Sequence, residues 1–384
     1  MTSQSSRQAS KGSAMKWPLF LAVAVFTASS GLYASSDEEL ESQQNQEDPY
    51  PVDGPADIMP LAAHEILMDV DKVGENFIAV GLRGNILRSG DGVNWTQSPA
   101  PTRSGLNAVA FSDSNNGNAV GHDAVILRTT DGGATWTKQL YAPELERPFL
   151  DVQFFGGGKG LATGAYGLMY ETSDGGATWD ESEAAVREDE WHFNAVIQLG
   201  DGSLLLVGEV GNIAHSKDGG ASWSRVESPY DGSFFGALPY KQSGAVIYGL
   251  RGNAFIIDDI KLARGEPYGE PEDDEEMSDA EEAVEEAVAA VAEAAEPAFI
   301  PSADAWKKIN TGTILGLLGG TVLPNGDIVL IGTNGKILRS SGGMTNLSHV
   351  KNPVGLSLAD AIPINNGKQL LMVGEAGAQI IDSQ

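Results

Sequence analysis

Apolar runs and Gly-rich polar turns alternate along this chain on a fixed beat. The clearest copy runs from Val120 to Trp136. An apolar strand ends at Gly121, and the alternating stretch Val125-Ile126-Leu127-Arg128-Thr129 follows. Then come an Asp131-Gly132-Gly133 turn and Trp136, which opens the next strand. The same order recurs from Val80-Gly81 to Trp95, from Thr163-Gly164 to Trp179 and from Val207-Gly208 to Trp223. Fainter copies start at Gly249, Gly332 and Gly374. Successive marker glycines lie 40, 43, 44, 41, 83 and 42 residues apart. The one long spacing contains an acidic run, and without that run it returns to near 40. The count is therefore seven units, not eight. Several short strands in a period of ~40–45 residues are the signature of a propeller blade.

Each unit parses into four strands separated by turn residues. In the second unit they are Asn107–Phe111, Asn118–Gly121, Val125–Thr129 and Thr135–Gln139. The innermost strand is the apolar one that opens the unit. Its counterparts are Ile66–Asp69, Phe149–Phe154, Phe193–Gln198, Phe234–Leu238, Ile314–Leu318 and Leu356–Ala361. The pattern predicts an all-β, seven-bladed propeller of four-stranded antiparallel blades over residues 57–384. The last unit lacks a Trp strand. Ala56–Pro60 is extended and apolar enough to supply it, so an N-terminal strand is expected to complete the final blade and close the ring.

Asp91, Asp131, Asp174 and Asp218 each lie ten residues after a marker glycine and just ahead of Trp95, Trp136, Trp179 and Trp223. An Asp carboxylate accepts backbone N–H groups across its own turn, glycine supplies positive φ, and Trp buries a large ring between sheets. These eight residues read as a structural staple. One Asp per turn offers too few oxygens for calcium.

Ser-x-Asp-Gly-Gly-x-x-Trp turns preceded by Val-Gly-x-x-Gly-x-Ile-x-Arg-Ser/Thr resemble the Asp-box, or BNR, repeats of the photosystem II stability/assembly factor family. The resemblance covers residues 57–384 apart from the acidic run. It implies a non-enzymatic scaffold outside the cytoplasmic membrane that assists a membrane protein complex. Some members of the family occur beside RND-type exporters, so a transporter subunit is the other partner the resemblance implies. Sialidases share the Asp-box propeller, which makes a sialidase-like glycoside hydrolase, or a glycan-binding propeller, the competing reading. Sialidase chemistry needs an arginine triad and a Tyr–Glu pair. No Arg-Ile-Pro-like segment precedes the first unit, and the arginines here follow the repeat register instead.

Outside the repeats, Arg7, Lys11 and Lys16 precede the apolar Trp17–Ala28 and a small-residue stretch. This is the layout of a signal peptide over residues 1–34. The charge-free span from Trp17 to Ser36 is 20 residues, long enough to serve instead as an N-terminal membrane anchor. Either reading predicts an exported protein, periplasmic or in an equivalent space. Residues 35–56 read as a flexible spacer. Residues 265–296 form an acidic low-complexity insert in blade five. Gly265–Gly269 is turn-like, and the Ala/Glu-rich Ala280–Glu296 carries Val284, Val288 and Val291 on one helical face. The insert is expected at a hairpin tip, and its removal is expected to leave the fold intact.

Net charge is −29, and residues 266–296 hold fourteen acidic residues and no basic one. No basic surface exists to neutralise phosphates, so nucleic acid is excluded as a partner. Cysteine is absent, which removes disulfides, thiolate metal sites and a Cys nucleophile. The five histidines show no metal-ligand spacing, and no cofactor or metal is expected. A monomer is expected.

The informative positions are those that differ between copies. Seven residues after each marker glycine stand Arg88, Arg128, Glu171, His215, Ile256, Arg339 and Ile381. Arg83 and Arg251 occur in a repeated Gly-Leu-Arg-Gly-Asn sequence. On an acidic protein, Arg88, Arg128, Arg339, Arg83 and Arg251 are the candidates for gripping a carboxylate-rich partner surface.

Overall fold

The computed structural model describes residues 53–268, 305–341 and 344–383. The signal or anchor segment and most of the acidic insert lie outside these residues. Seven antiparallel sheets follow one another, and in each the strands pair in sequence order. Blade 2 is typical, with strands Leu106–Phe111, Gly117–Gly121, Ile126–Thr129 and Thr137–Leu140. The seven inner strands contact each other in cyclic order, so the last blade meets the first. Seven apolar clusters fill the gaps between adjacent blades. In all seven blades both faces of the second strand pack against neighbours. That is why Phe77–Val80 and Leu204–Val207 are continuously apolar and fully covered.

The marker glycines owe their place to a backbone contact. At all seven, an added Cβ would lie 2.0–2.3 Å from the carbonyl oxygen of the residue that leads into the inner strand. That carbonyl accepts a hydrogen bond, 2.9–3.3 Å long, from the N–H of the residue just after the glycine. The second strand therefore ends pressed against the start of the first, and only glycine fits.

Ring closure differs from the sequence expectation. Ala56–Pro60 forms no strand and does not join blade 7. Ala56 N–H donates to Ala100 O at 2.9 Å, and the Gln97 amide bridges Met59 N and Asp57 O on the flank of blade 1. Asp57 also pairs with Arg103 at 3.3 Å. Blade 7 has three strands among the described residues: Leu358–Ile364, Gln369–Gly374 and Gly377–Asp382. The seam is closed by side chains instead, with Leu371 and Val373 of blade 7 packed on Leu67, Val70 and Leu87 of blade 1. The expected spacer is shorter too, because Asp53 already bonds Lys138 on blade 2.

Two other expectations shift. The sixth inner strand is Leu317–Val322 rather than Ile314–Leu318. Ile314 is 84% exposed at a loop tip, so its apolarity does not mark a strand. The first residues of the acidic insert are not a turn. Gly265–Pro267 leaves blade 5 and pairs antiparallel with Ser224–Val226 as a fifth strand on blade 4. Lys307–Lys308 then returns as the outer strand of blade 5. The Tyr268 ring packs in the blade 3–4 cluster, and its hydroxyl donates to Asn212 Oδ1 at 3.0 Å. A deletion starting at 265 therefore removes a paired strand, which is a structural cost that the sequence did not signal.

The glycine contact makes a sharp prediction. Gly121→Ala should cost more than ~3 kcal/mol by urea denaturation, because backbone must move. Gly90→Ala meets only an Asn76 side-chain atom at 3.9 Å and should stay within ~0.5 kcal/mol. Equal costs for the two would sink the close-contact account.

Candidate partner-binding site

The Asp turns consume their own chemistry. Asp131 Oδ1 accepts the Thr135 N–H at 2.9 Å and the Thr129 hydroxyl at 2.8 Å, while Oδ2 accepts the Thr135 hydroxyl at 2.7 Å. Trp136 Nε1 donates to Gly133 O at 3.1 Å, locking the indole over the turn. Asp91, Asp174 and Asp218 repeat this arrangement. These bonds favour the ionised carboxylate. The hydrogen bonds from Thr178 chiefly hold Asp174 at about 2, and Asp91 is lowered mainly by Asn94. Trp95 and Trp223 are bonded like Trp136. The Trp179 indole N–H lacks a partner.

The five candidate arginines do not form one cluster. Arg83 and Arg251 stand exposed in the turns between second and third strands, at φ 59° and 57°. The same left-handed position is held by Asp123, Tyr166, Val210 and Asn334 in other blades. Arg88, Arg128 and Arg339 sit near the far end of the third strand, toward the opposite end of the ring. Each faces the next blade, so each lies in its own inter-blade groove. Arg339 is taken up internally, by Asp327 at 2.9 Å and by the Ser383 carbonyl. Arg88 and Arg128 are half-buried, with Nε atoms lacking a hydrogen-bond partner. Arg88 opens on a polar groove of about 440 Å³ lined by Asn76, Asn94, Thr96 and Gln97. Glu171 holds the corresponding place between blades 3 and 4, in a groove of about 420 Å³ that also contains Lys159 and Asp218. In blade 7 the hairpin is one residue tighter, pairing Gly374 with Gly377. Ile381 therefore faces blade 6, and Ile380 takes the slot that the count assigned to Ile381.

The two ends of the ring differ in character. The end carrying Arg83 and Arg251 presents the exposed apolar side chains Leu82, Tyr166, Val210, Leu250, Ile314 and Leu356. The end carrying the Asp turns presents Val93 as its large exposed apolar residue. These side chains come from six of the seven blades, so the apolar exposure is spread around this end of the ring. It is reinforced by strain, because Tyr166 and Val210 hold φ near 54° with bulky side chains directed outward.

A second group escaped sequence reasoning. Asp69, Asp71, Asp151 and Asp360 lie on inner strands beside the ring axis. Water reaches part of each side chain along the axis, but protein encloses the carboxyl groups on their other sides. Asp69 Oδ2 accepts the Val109 N–H of blade 2 at 2.7 Å, and Asp151 Oδ2 accepts the Val196 N–H of blade 4 at 2.8 Å. Each Asp thus ties its blade to the next. In blades 2 and 4 an Asn does the same, with Asn107 and Asn194 each donating at 2.7 Å to the next inner strand. Desolvation raises Asp71 and Asp151 to about 7. It raises Asp360 further, with the adjacent Asp69 charge adding to the effect, and the two carboxyls share a hydrogen bond. The signal was present in the repeat alignment, as an acid two residues after the first inner-strand residue in Leu67-Met68-Asp69, Phe149-Leu150-Asp151 and Leu358-Ala359-Asp360. Among the described residues, no group of three His, Asp or Glu side chains is arranged to hold a metal ion.

These shifts set the pH dependence. Asp71 and Asp151 are raised, so their contribution to stability is full below about 4 and is lost as pH rises through about 7. The turn carboxylate Asp174 is lowered, so its contribution is present above about 4 and lost as pH falls through about 2. Urea midpoints measured in high salt, where surface repulsion is screened, should fall between pH 4 and 7. Asp151→Asn should flatten that decline even if it lowers the midpoint overall. An unchanged slope would count against the axial carboxyls.

Comparison with known proteins fits this geometry. The family model described as photosynthesis system II assembly factor YCF48 matches residues 139–231. No curated protein matches the chain. Among solved structures, "YCF48 bound to D1 peptide" superposes with a TM-score of 0.60 at 14% identity, covering 88% of this chain and 98% of that one. YCF48 from Cyanidioschyzon merolae gives 0.58 at 16% identity, covering 84% and 97%. The WD40 propeller domain of Doa1 gives 0.58 at 12% identity, covering 88% and 98%, so the fold is shared beyond one family. Repeat signature, seven-sheet ring and family match together describe a photosystem II assembly factor-like β-propeller.

Proposed function

We propose that this propeller is a non-enzymatic assembly factor that holds an extramembrane segment of a membrane protein complex. The observation that carries this is the apolar end of the ring, where Leu82-Arg83 and Leu250-Arg251 repeat one exposed Leu-Arg pair on blades 1 and 5. Leucine side chains supply buried area on binding, and the guanidinium groups supply carboxylate recognition. The similar structure of YCF48 bound to D1 peptide supports a membrane-protein segment as the partner class. Export, by signal peptide or anchor, would place the ring on the side where such segments emerge. A role beside an RND-type exporter uses the same surface with a different partner.

Against a sialidase-type hydrolase stands the geometry of the slot arginines. They occupy separate grooves, and Arg339 is already paired, so they do not converge on one substrate carboxylate. A second contact would use the half-buried Arg88 and Arg128, which face successive inter-blade gaps on the flank.

Capture of the full chain's partners from solubilised membranes tests this reading. Arg83→Glu with Arg251→Glu should weaken capture at least ~10-fold, the loss of ~1.4 kcal/mol, and leave thermal stability unchanged. Arg88→Glu with Arg128→Glu should give a smaller loss. Arg339→Glu should lower stability, because it sets a carboxylate against Asp327. Full capture by the Arg83/Arg251 variant would rule out the apolar end.

A further inference from the structure

Blade 7 stops at three strands among the described residues, whereas the others have four or five. Its third strand, Gly377–Asp382, pairs with Gln369–Gly374 and has no strand paired to its other edge among the described residues. The consequence shows in burial. Third strands elsewhere are largely covered, as in Ile213–Ser216, while Ala378, Gln379, Ile380 and Ile381 are all half-exposed. Gln379 lies opposite Met372 and so faces blade 6, and neither its amide nitrogen nor its oxygen has a partner although both are shielded from water. A two-residue hairpin closes on a hydrogen-bonded pair, here Gly374 with Gly377, and the pairs alternate from there. The outward-pointing N–H and C=O groups therefore belong to Ala378, Ile380 and Asp382.

The rest of the ring shows what fits such an edge. In the other blades it is covered by a short outer strand, as with Trp95–Ser98 and Ser224–Val226. In blades 1 to 5 a Trp at or before that strand fills the gap toward the preceding blade, as Trp136 and Trp223 do. Blade 4 also shows that an edge of this ring accepts a strand from elsewhere, since Gly265–Pro267 adds to it antiparallel. Among the described residues the chain's own entry adds no strand to this edge: residues 53–59 bond to blades 1 and 2, and Ala62–His64 packs beside the start of the strand, where the Ala63 carbonyl meets Gly377. A second copy is disfavoured by repulsion between chains of net charge −29.

We propose that the open edge of blade 7 takes up an extended segment of a partner polypeptide as its fourth strand. The segment is four to six residues long by analogy with the ~5-residue strands of sheets. It is uncharged or basic, and it carries an aromatic or large apolar residue directed at the blade 6 side, beside Ile381 and Val350. Main-chain bonds would supply affinity, and the side-chain pocket would supply selection. The proposal rests on the reading that this chain binds a polypeptide, and it names a contact separate from the Leu-Arg end.

Amide hydrogen exchange on the full chain tests it, with a synthetic peptide copying residues 134–140 (Ala-Thr-Trp-Thr-Lys-Gln-Leu) as probe. The amides of Ala378 and Ile380 should slow at least ~10-fold as the peptide saturates the edge. The same peptide N-methylated at alternate residues should have no effect. The proposal is overturned if these amides are unprotected at millimolar peptide, or if the N-methylated form protects them equally. It is also overturned if protection appears without peptide and grows with protein concentration, which would assign the edge to a second copy. The Arg83/Arg251 double variant should keep the peptide's protection while losing capture of membrane partners. Failure of protection with capture intact therefore removes the strand proposal alone.

Discussion

Everything in this ring depends on one backbone contact repeated seven times. The second strand of each blade ends on a glycine packed directly against the carbonyl that leads into the inner strand. The N–H of the following residue bonds that same carbonyl. The contact sets the relative height of the two innermost strands, and so it sets where every loop emerges. In blades 1 to 6 the turn after it holds a left-handed residue, which puts Arg83, Tyr166, Val210 and Arg251 outward at one end of the ring. The surface proposed for binding is thus a by-product of the packing rule, decorated differently in each blade.

Polar groups divide into those the fold consumes and those it leaves available. The Asp turns saturate their carboxylates within five residues of chain, and their Trp rings seal the periphery. The axial acids are consumed across blades, each tied to a neighbouring inner strand and held in a setting that favours the protonated form. Burial of that kind is costly, and it is offset here by amides that would otherwise lack partners. The ring thus carries acids that respond to pH in opposite directions at its centre and its rim. What remains for recognition is the apolar end, the two half-buried flank arginines and the open edge of blade 7.

Irregularities of the ring sit where its repeat pattern weakens. Blade 5 sends a strand to blade 4 before completing itself, and the acidic insert departs from that added strand. Blade 7 tightens its hairpin by one residue, which turns Ile381 away from the slot that arginine holds in blades 1, 2 and 6. Its seam with blade 1 is made by side-chain packing rather than by a shared sheet.

The sequence by itself determined the blade count, the strand order and the turns, because these follow from contacts within some forty residues. Marker glycines, Asp-Gly-Gly turns and Trp positions all encode local geometry, and local geometry is what a period reveals. Tertiary structure decided the rest. Ala56–Pro60 has the composition of a strand, but hydrogen bonds with Gln97 and to the Ala100 carbonyl fix it on blade 1. Gly265–Pro267 has the composition of a turn, but the free edge of blade 4 makes it a strand. Five arginines that align in two registers belong to separate surfaces, because successive blades rotate their slots apart. The axial acids stand out on the inner strands once the copies are aligned. That they meet at one axis depends on closing the ring, a property of all seven units together and of no one of them.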